Sequence, residues 1–266
     1  MGAVIEGIAS EVGAAPGDRD EQITDGSARP YFFTPHIHLC VTPDWPVILD
    51  LRTTRYRAIT SALAQILSQH VAGWPVVGTH DRSSNVVPLS DQQNVLAQLV
   101  SAGVLTTDPS LGRPATPVSH ERAKDALTRE DLCRRPKVSW LDTGRFYRAM
   151  FTAKMTVRNK SMQALVEYLR ERRLRALAVP LCDIERAREL VLAFRHLRPL
   201  IFNAKKQCLL DSFALMEYVI PEGFVPHWVI GVRARPFLAH SWLCSGGLVW
   251  GDQADYVRNF TPIAKF

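Results

Sequence analysis

The sequence predicts an α+β protein built from two modules. Three observations predict it. Residues 36–59 are short β-prone runs cut by turn residues, and helical spacing follows them. Residues 108–137 carry Pro109, Pro114, Pro117 and Pro136 among scattered charges, the mark of a linker. Beyond it the order is helices first and strands last. A chain of 266 residues suits two modest domains. The expected division is a mobile arm over 1–30, a first module over 31–107, a linker over 108–143 and a second module over 144–266.

In the first module, His36 to Val41 and Val47 to Leu51 read as two strands around a turn at Thr42 to Trp45. Arg55 to Ile59 reads as a third. Ser61 to Ala72 places Leu63, Ile66, Leu67 and Val71 at helical spacing, with Gly73 as the stop. Ser90 and Gln93 read as a capping box for a helix with Val95, Leu96, Leu99 and Val100 on one side. Three strands followed by helices predict a winged-helix-like unit. In the linker, a short helix is expected around His120 to Leu127.

Phe146 to Ala178 is helical in character, and Asp183 can cap a helix running to Leu197. A third helix is expected from Gln207 or Cys208, because Leu209, Leu210, Phe213, Leu215, Met216 and Val219 recur as in a buried helix. Pro221 and Gly223 end it. Trp228 to Arg235, Ala239 to Cys244 and Leu248 to Asp252 then read as strands, the last two joined by Gly246-Gly247.

Composition excludes several classes. Hydrophobic residues at 47% and charged residues at 22% match a soluble globular chain. Five cysteines, irregularly spaced, make no disulfide framework. No stretch approaches the ~20 apolar residues of a membrane span. Glu6 and Glu11 fall where a signal peptide is basic and then apolar. A reduced cytoplasm is the expected compartment, without membrane partners. Residues 145–206 hold 15 Lys/Arg against 5 Asp/Glu, so the net +6 is concentrated there. That block reads as the solvated face of amphipathic helices. Nucleic acid is not an expected partner, because the helix Ser90 to Ala102 carries no basic residue for a groove.

The chemistry is expected at Cys208, His240 and Asp252. Cys208 opens a helix, where free N–H groups and the helix dipole favour a thiolate. His240 follows 32 residues later in a strand, and Asp252 comes 12 further on, across the Gly-Gly turn. Neighbouring antiparallel strands bring such a His and Asp together. A thiol nucleophile needs a base, and the base needs an orienting partner. Cys40, Cys182 and Cys244 lie in apolar runs and read as packing residues, and Cys133 as exposed. Cys208, His227, His240 and Cys244 lack zinc-site spacing, and no metal is expected. No P-loop or GxGxxG occurs.

The run Gln-Cys-Leu-Leu-Asp-Ser-Phe-Ala-Leu from Gln207, then Ala-His-Ser-Trp-Leu, then Gly-Gly-Leu-Val-Trp-Gly-Asp ending at Asp252, resembles the transglutaminase-like cysteine protease domain of lasso-peptide B proteins. Leu243 departs from it where many relatives place a Glu. The run from Val47 to Leu51, then Arg55-Tyr-Arg-Ala-Ile, then two helices, is similar to the PqqD-like leader-recognition element of peptide-modifying systems. The resemblance implies a transglutaminase/papain-like second module and a leader peptidase acting through Cys208, His240 and Asp252. It implies a leader strand added along Arg55, Tyr56 and Arg57, facing Leu96 and Leu99. It implies a precursor leader peptide and an asparagine-synthetase-like lasso cyclase as partners. Any ATP dependence is expected to enter through the cyclase, with no cofactor bound by this chain. An acyl transferase using the same triad, and a non-catalytic peptide- or nucleic-acid-binding adaptor, are the alternatives.

Overall fold

The structure is a computed structural model, and it describes residues 30–75, 88–119, 123–128, 136–176, 184–201 and 207–266. The arm before Pro30, His120, Cys133, Cys182, Asp183 and Asn203 lie outside the described residues. The chain divides into two compact units, the second made of Val118–Phe266 together with the Leu51–Thr54 turn.

In the first unit, β2 (Ile37–Val41), β3 (Pro46–Asp50) and β4 (Arg55–Ala58) form an antiparallel sheet in that order. Ile37, Leu39 and Ile48 share one face and meet Leu63, Ile66 and Leu67 of α1 (Ser61–His70) and Leu96 and Leu99 of α2 (Leu89–Ser101). Thr60 caps α1 through the N–H of Leu63 at 3.3 Å. A small second pair joins β1 (Phe32–Phe33) to β5 (Leu105–Thr106).

Several expectations are corrected here. His36 lies in the turn before β2, not on a strand. Ser90 forms no capping box: α2 starts at Leu89 behind Pro88, so Ser90 is already inside the first turn. Val100 is 37% exposed, whereas Leu96 and Leu99 are core at 2% and 7%. Of the described residues in 108–137, those up to Pro117 belong to the first unit and those from Val118 to the second. Arg113 donates to the Ile37 carbonyl and Ala115 is buried in the first core. Residues 125–126 are a strand, β6 (Asp125–Ala126), where a helix was expected.

The second unit packs helices on a five-stranded sheet of order β10-β7-β8-β9-β6. Its strands are β6, β7 (His227–Arg233), β8 (Leu238–Ser245), β9 (Leu248–Trp250) and β10 (Thr261–Lys265). All pairs are antiparallel except β6 with β9. The helical run splits into α3 (Trp140–Asn159) and α4 (Met162–Ala176), and α5 (Ile184–Leu197) follows. A capping box of Ser139 and Asp142 starts α3 earlier than its apolar spacing suggested.

α6 (Cys208–Val219) is the central helix, buried continuously from Ser212 to Val219. That is what a helix apolar on all sides requires. Phe213 meets Trp228 of β7, with ring centroids 6.2 Å apart, on the sheet side. Tyr218 meets Phe194 of α5 at 5.6 Å on the helix side. The Gly246-Gly247 turn has positive φ at both residues, 57° and 79°, as a tight hairpin demands. α7 (Ala254–Val257) and β10 went unread in the sequence because they are short and lack sustained periodicity.

Candidate active site

Cys208 is the first residue of α6, behind Gln207, whose side chain makes no capping bond. The first intrahelical bond here runs from the Asp211 N–H to the Gln207 carbonyl at 2.9 Å. The sulfur therefore stands at the N-terminal, positive end of the helix.

β8 carries His240 to the same place. β9 pairs with β8 only at Leu243, Cys244 and Ser245. The chain then leaves the sheet at Gly251, so the His240–Ser241 stretch has no β9 partner. Gly251 has φ +76°, and a Cβ there would lie 2.5 Å from Leu215 Cδ2. Only glycine turns the chain this close to α6. The turn delivers Asp252, whose Oδ2 lies 2.6 Å from His240 Nε2. The Gln253 N–H donates to Asp252 Oδ1 at 2.7 Å.

Cys208 stands near enough to the His240 ring and to Ser241 for both to act on its thiol. The structure brings Cys208, His240 and Asp252 to one corner, with the hydrogen bond running between imidazole and carboxylate. Asp252 thus engages the imidazole at Nε2. Three aromatic rings enclose the imidazole: Tyr256 at 5.1 Å, Phe260 at 5.2 Å and Trp242 stacked at 6.0 Å. Gly231, paired with His240 across β7, makes room for Trp242: a Cβ would lie 2.6 Å from its ring.

The site favours charge. Burial alone raises the Cys208 thiol, but nearby His240, through hydrogen bonding and charge, and Ser241 bring it below the usual thiol range. Burial alone lowers His240, yet the bonds to Asp252 and Cys208 and their charges push it up to about 9. Burial works to raise Asp252, and the His240 bond outweighs it and holds the carboxyl below its ordinary value. Both shifts favour the thiolate–imidazolium pair over the neutral pair.

An ion pair braces the corner. Arg198, in the turn after α5, gives Nη1 to Asp211 Oδ2 at 2.7 Å and to the Gly251 carbonyl at 3.0 Å. It ties the first turn of α6 to the residue before Asp252. Burial, with Asp252 nearby, raises Asp211 to about 6 against the opposing pull of Arg198. Asp211, Arg198, Ser241 and the aromatic enclosure were missed in the sequence. Ser241 stands beside His240 in the quoted motif, but Arg198 has no local signal.

The other expected residues fall as follows. β4 is hydrogen-bonded within its sheet only to β3, so Arg55, Tyr56 and Arg57 lie on an edge strand. Arg55 is exposed, Arg57 half-buried and Tyr56 buried beside its partner Leu49. Leu96 and Leu99 belong to the core of that unit. Cys40 and Cys244 are buried free thiols. His227 accepts Arg173 Nη1 at 3.0 Å on Nδ1. Among the described residues no cluster of three or more His, Cys, Asp or Glu has the placement to hold a metal ion. Among them, too, no helix is long and apolar enough to cross a membrane.

The buried helix that begins at Cys208 packs on the sheet that carries the His240–Asp252 pair. The model of the transglutaminase-like superfamily matches residues 148–265, so that part of the chain is similar to it. A 61-residue stretch is 38% identical to the microcin J25-processing protein McjB of Escherichia coli. It covers 23% of this chain and 29% of the length of that relative. Both findings support the resemblance to lasso-peptide B proteins, and neither extends it to the PqqD-like element. No solved structure matches the chain.

Proposed function

We propose that this protein is the leader peptidase of a lasso-peptide system, a cysteine protease that binds a precursor leader and hydrolyses the leader–core bond. The observation that supports it is the 2.6 Å bond between His240 and Asp252 at the corner where Cys208 opens a buried helix. The thiolate attacks the scissile carbonyl, and the C–N bond breaks as His240 gives its proton to the leaving amine. Water then loses a proton to His240 and cleaves the thioester, freeing the leader acid and restoring the thiol. Asp252 holds the imidazole in orientation throughout. The Cys208 N–H at the helix start donates to the oxyanion, and the candidates for the second donor are exposed Gln207 and Asn203, which lies outside the described residues.

The edge strand β4 supports the leader-binding part of the reading, with Arg55, Tyr56 and Arg57 along it. Since Leu96 and Leu99 are core residues, the leader gains from them only the shape of the unit. For the cyclase, which receives the freed core amine, the outer face of α3 is the candidate contact. Trp140, Tyr147 and Phe151 are 81%, 53% and 68% exposed there, beside exposed Arg148, Lys154 and Arg158. Nucleotide dependence, in this reading, belongs to the cyclase.

The test is Cys208→Ala incubated with precursor and followed by mass. Cleavage is expected to stop while leader binding, read by fluorescence anisotropy, persists. Undiminished cleavage discards the reading. A product carrying an added amine in place of water assigns the triad to acyl transfer instead.

A further inference from the structure

The corner that presents Asp252 is gripped by a residue outside the reacting three. Arg198 stands in the turn after α5, and a single nitrogen of its side chain holds two oxygens. Nη1 reaches Asp211 Oδ2 at 2.7 Å and the Gly251 carbonyl at 3.0 Å. Asp211 lies in the first turn of α6, the helix that Cys208 opens. One guanidinium therefore joins the start of that helix to the peptide just before Asp252.

The grip falls where the chain lacks other support. β9 ends at Trp250, so no strand pairing fixes the next peptide. A peptide unit is planar, so the Gly251 carbonyl and the N and Cα of Asp252 move as one body. Holding that oxygen fixes where Asp252 begins. The Gln253 N–H holds Asp252 Oδ1 at 2.7 Å. Oδ2 is then the oxygen left for His240 Nε2, and it meets it at 2.6 Å.

Stability does not account for the Arg198–Asp211 pair. The two side chains are only 19% and 16% exposed. An ion pair so far from water gains little over an apolar pair of similar size. Asp211 Oδ1 is buried and has no hydrogen-bond partner among the described residues, which adds a further cost. What an apolar pair could not do is donate to the Gly251 carbonyl.

We infer that Arg198 is a positioning residue that holds the Asp252 corner in register with the start of α6, so that the carboxylate reaches the imidazole. Asp211 anchors the guanidinium for that task. Neither residue is assigned a chemical step. The inference deepens the peptidase reading and rests on Asp252 being the group that orients His240.

The experiment follows His240 itself and needs no substrate. The full chain carries isotope-labelled histidine, the ring of His240 is titrated by NMR, and His240→Gln assigns its signal. The titratable and charged groups around the ring are Cys208 and Asp211 from α6, Asp252 from the corner, Arg198 from the turn after α5 and Tyr256 from α7. Arg198→Met combined with Asp211→Leu removes the grip, leaves the net charge unchanged and keeps the site packed. In that double variant the His240 midpoint should fall by about one pH unit, the scale of one hydrogen bond to a charged group. Arg198→Met alone is the second variant, should the first fail to fold. It should lower the midpoint by less, because losing a cation by itself favours the imidazolium. With precursor, kcat should fall by about ten- to a hundredfold while KM changes less than about twofold. An unmoved or raised midpoint in the double variant, or a raised one in the single variant, overturns the inference. If the midpoint falls in the variants while the unaltered chain cleaves no precursor, the positioning role stands and the peptidase reading falls.

Discussion

The proton shared by Cys208 and His240 decides how the site responds to pH. His240 is raised because Asp252 and the thiolate both favour the imidazolium against burial. Raised above its unfolded value, it contributes stability that is complete below about pH 6.5 and lost as pH climbs through about 9. Asp252 is depressed and contributes in the opposite sense: its part is present above the ordinary carboxyl range and lost in acid. Activity needs thiolate and imidazolium together. The profile of kcat/KM should therefore rise at a pH below the usual thiol range and fall near pH 9. Asp252→Asn removes the charge that raises His240. Its alkaline limb should move toward neutrality, and kcat should drop roughly a hundredfold or more, as when an imidazole loses its orienting carboxylate. An alkaline limb that stays near 9 in this variant would separate Asp252 from the imidazole. Serial pH kinetics on a fluorogenic precursor peptide measure both.

At the scale of elements, the turn after β9 matters more than its length suggests. Gly251 combines φ +76° with an approach of 2.5 Å between any added Cβ and Leu215. Gly251→Ala should cost about 1–3 kcal/mol through backbone strain and overpacking. It should also lower kcat more than KM worsens, because the displaced corner carries Asp252. Urea unfolding paired with steady-state kinetics checks this; a neutral effect on both would mean that the corner yields freely. Element type was legible wherever a period ran long enough. α6 showed in its apolar recurrence, and β7 to β9 showed in their shortening period. β6 and α7 were not legible, since two to four residues carry no period. β6 exists because its backbone pairs with β9 far along the chain.

For the whole molecule, two units imply two separable functions under the proposed reading. β4 and the Cys208 corner lie in different units of the chain. Arg55→Glu with Arg57→Glu should weaken leader binding about tenfold, the scale of two exposed charges reversed at an interface. It should leave the pH midpoint of Cys208 alkylation where it was. Anisotropy with a labelled leader and alkylation on the same preparation test both halves; unchanged affinity removes the leader from that strand.

The amino-acid sequence by itself determined the chemistry on offer: which thiol opens a helix, which imidazole and carboxylate flank the Gly-Gly turn, and that helices precede strands. Those are local matters of spacing, turn residues and periodicity. Only the tertiary structure decided what surrounds that chemistry. Arg198 bracing Gly251, the rings around His240, and the hydroxyls behind Cys208 are brought together by packing between elements, and such contacts leave no periodic trace along the chain. The same packing turned Leu96 and Leu99 inward, because a helix covering a sheet commits its apolar stripe to the core first.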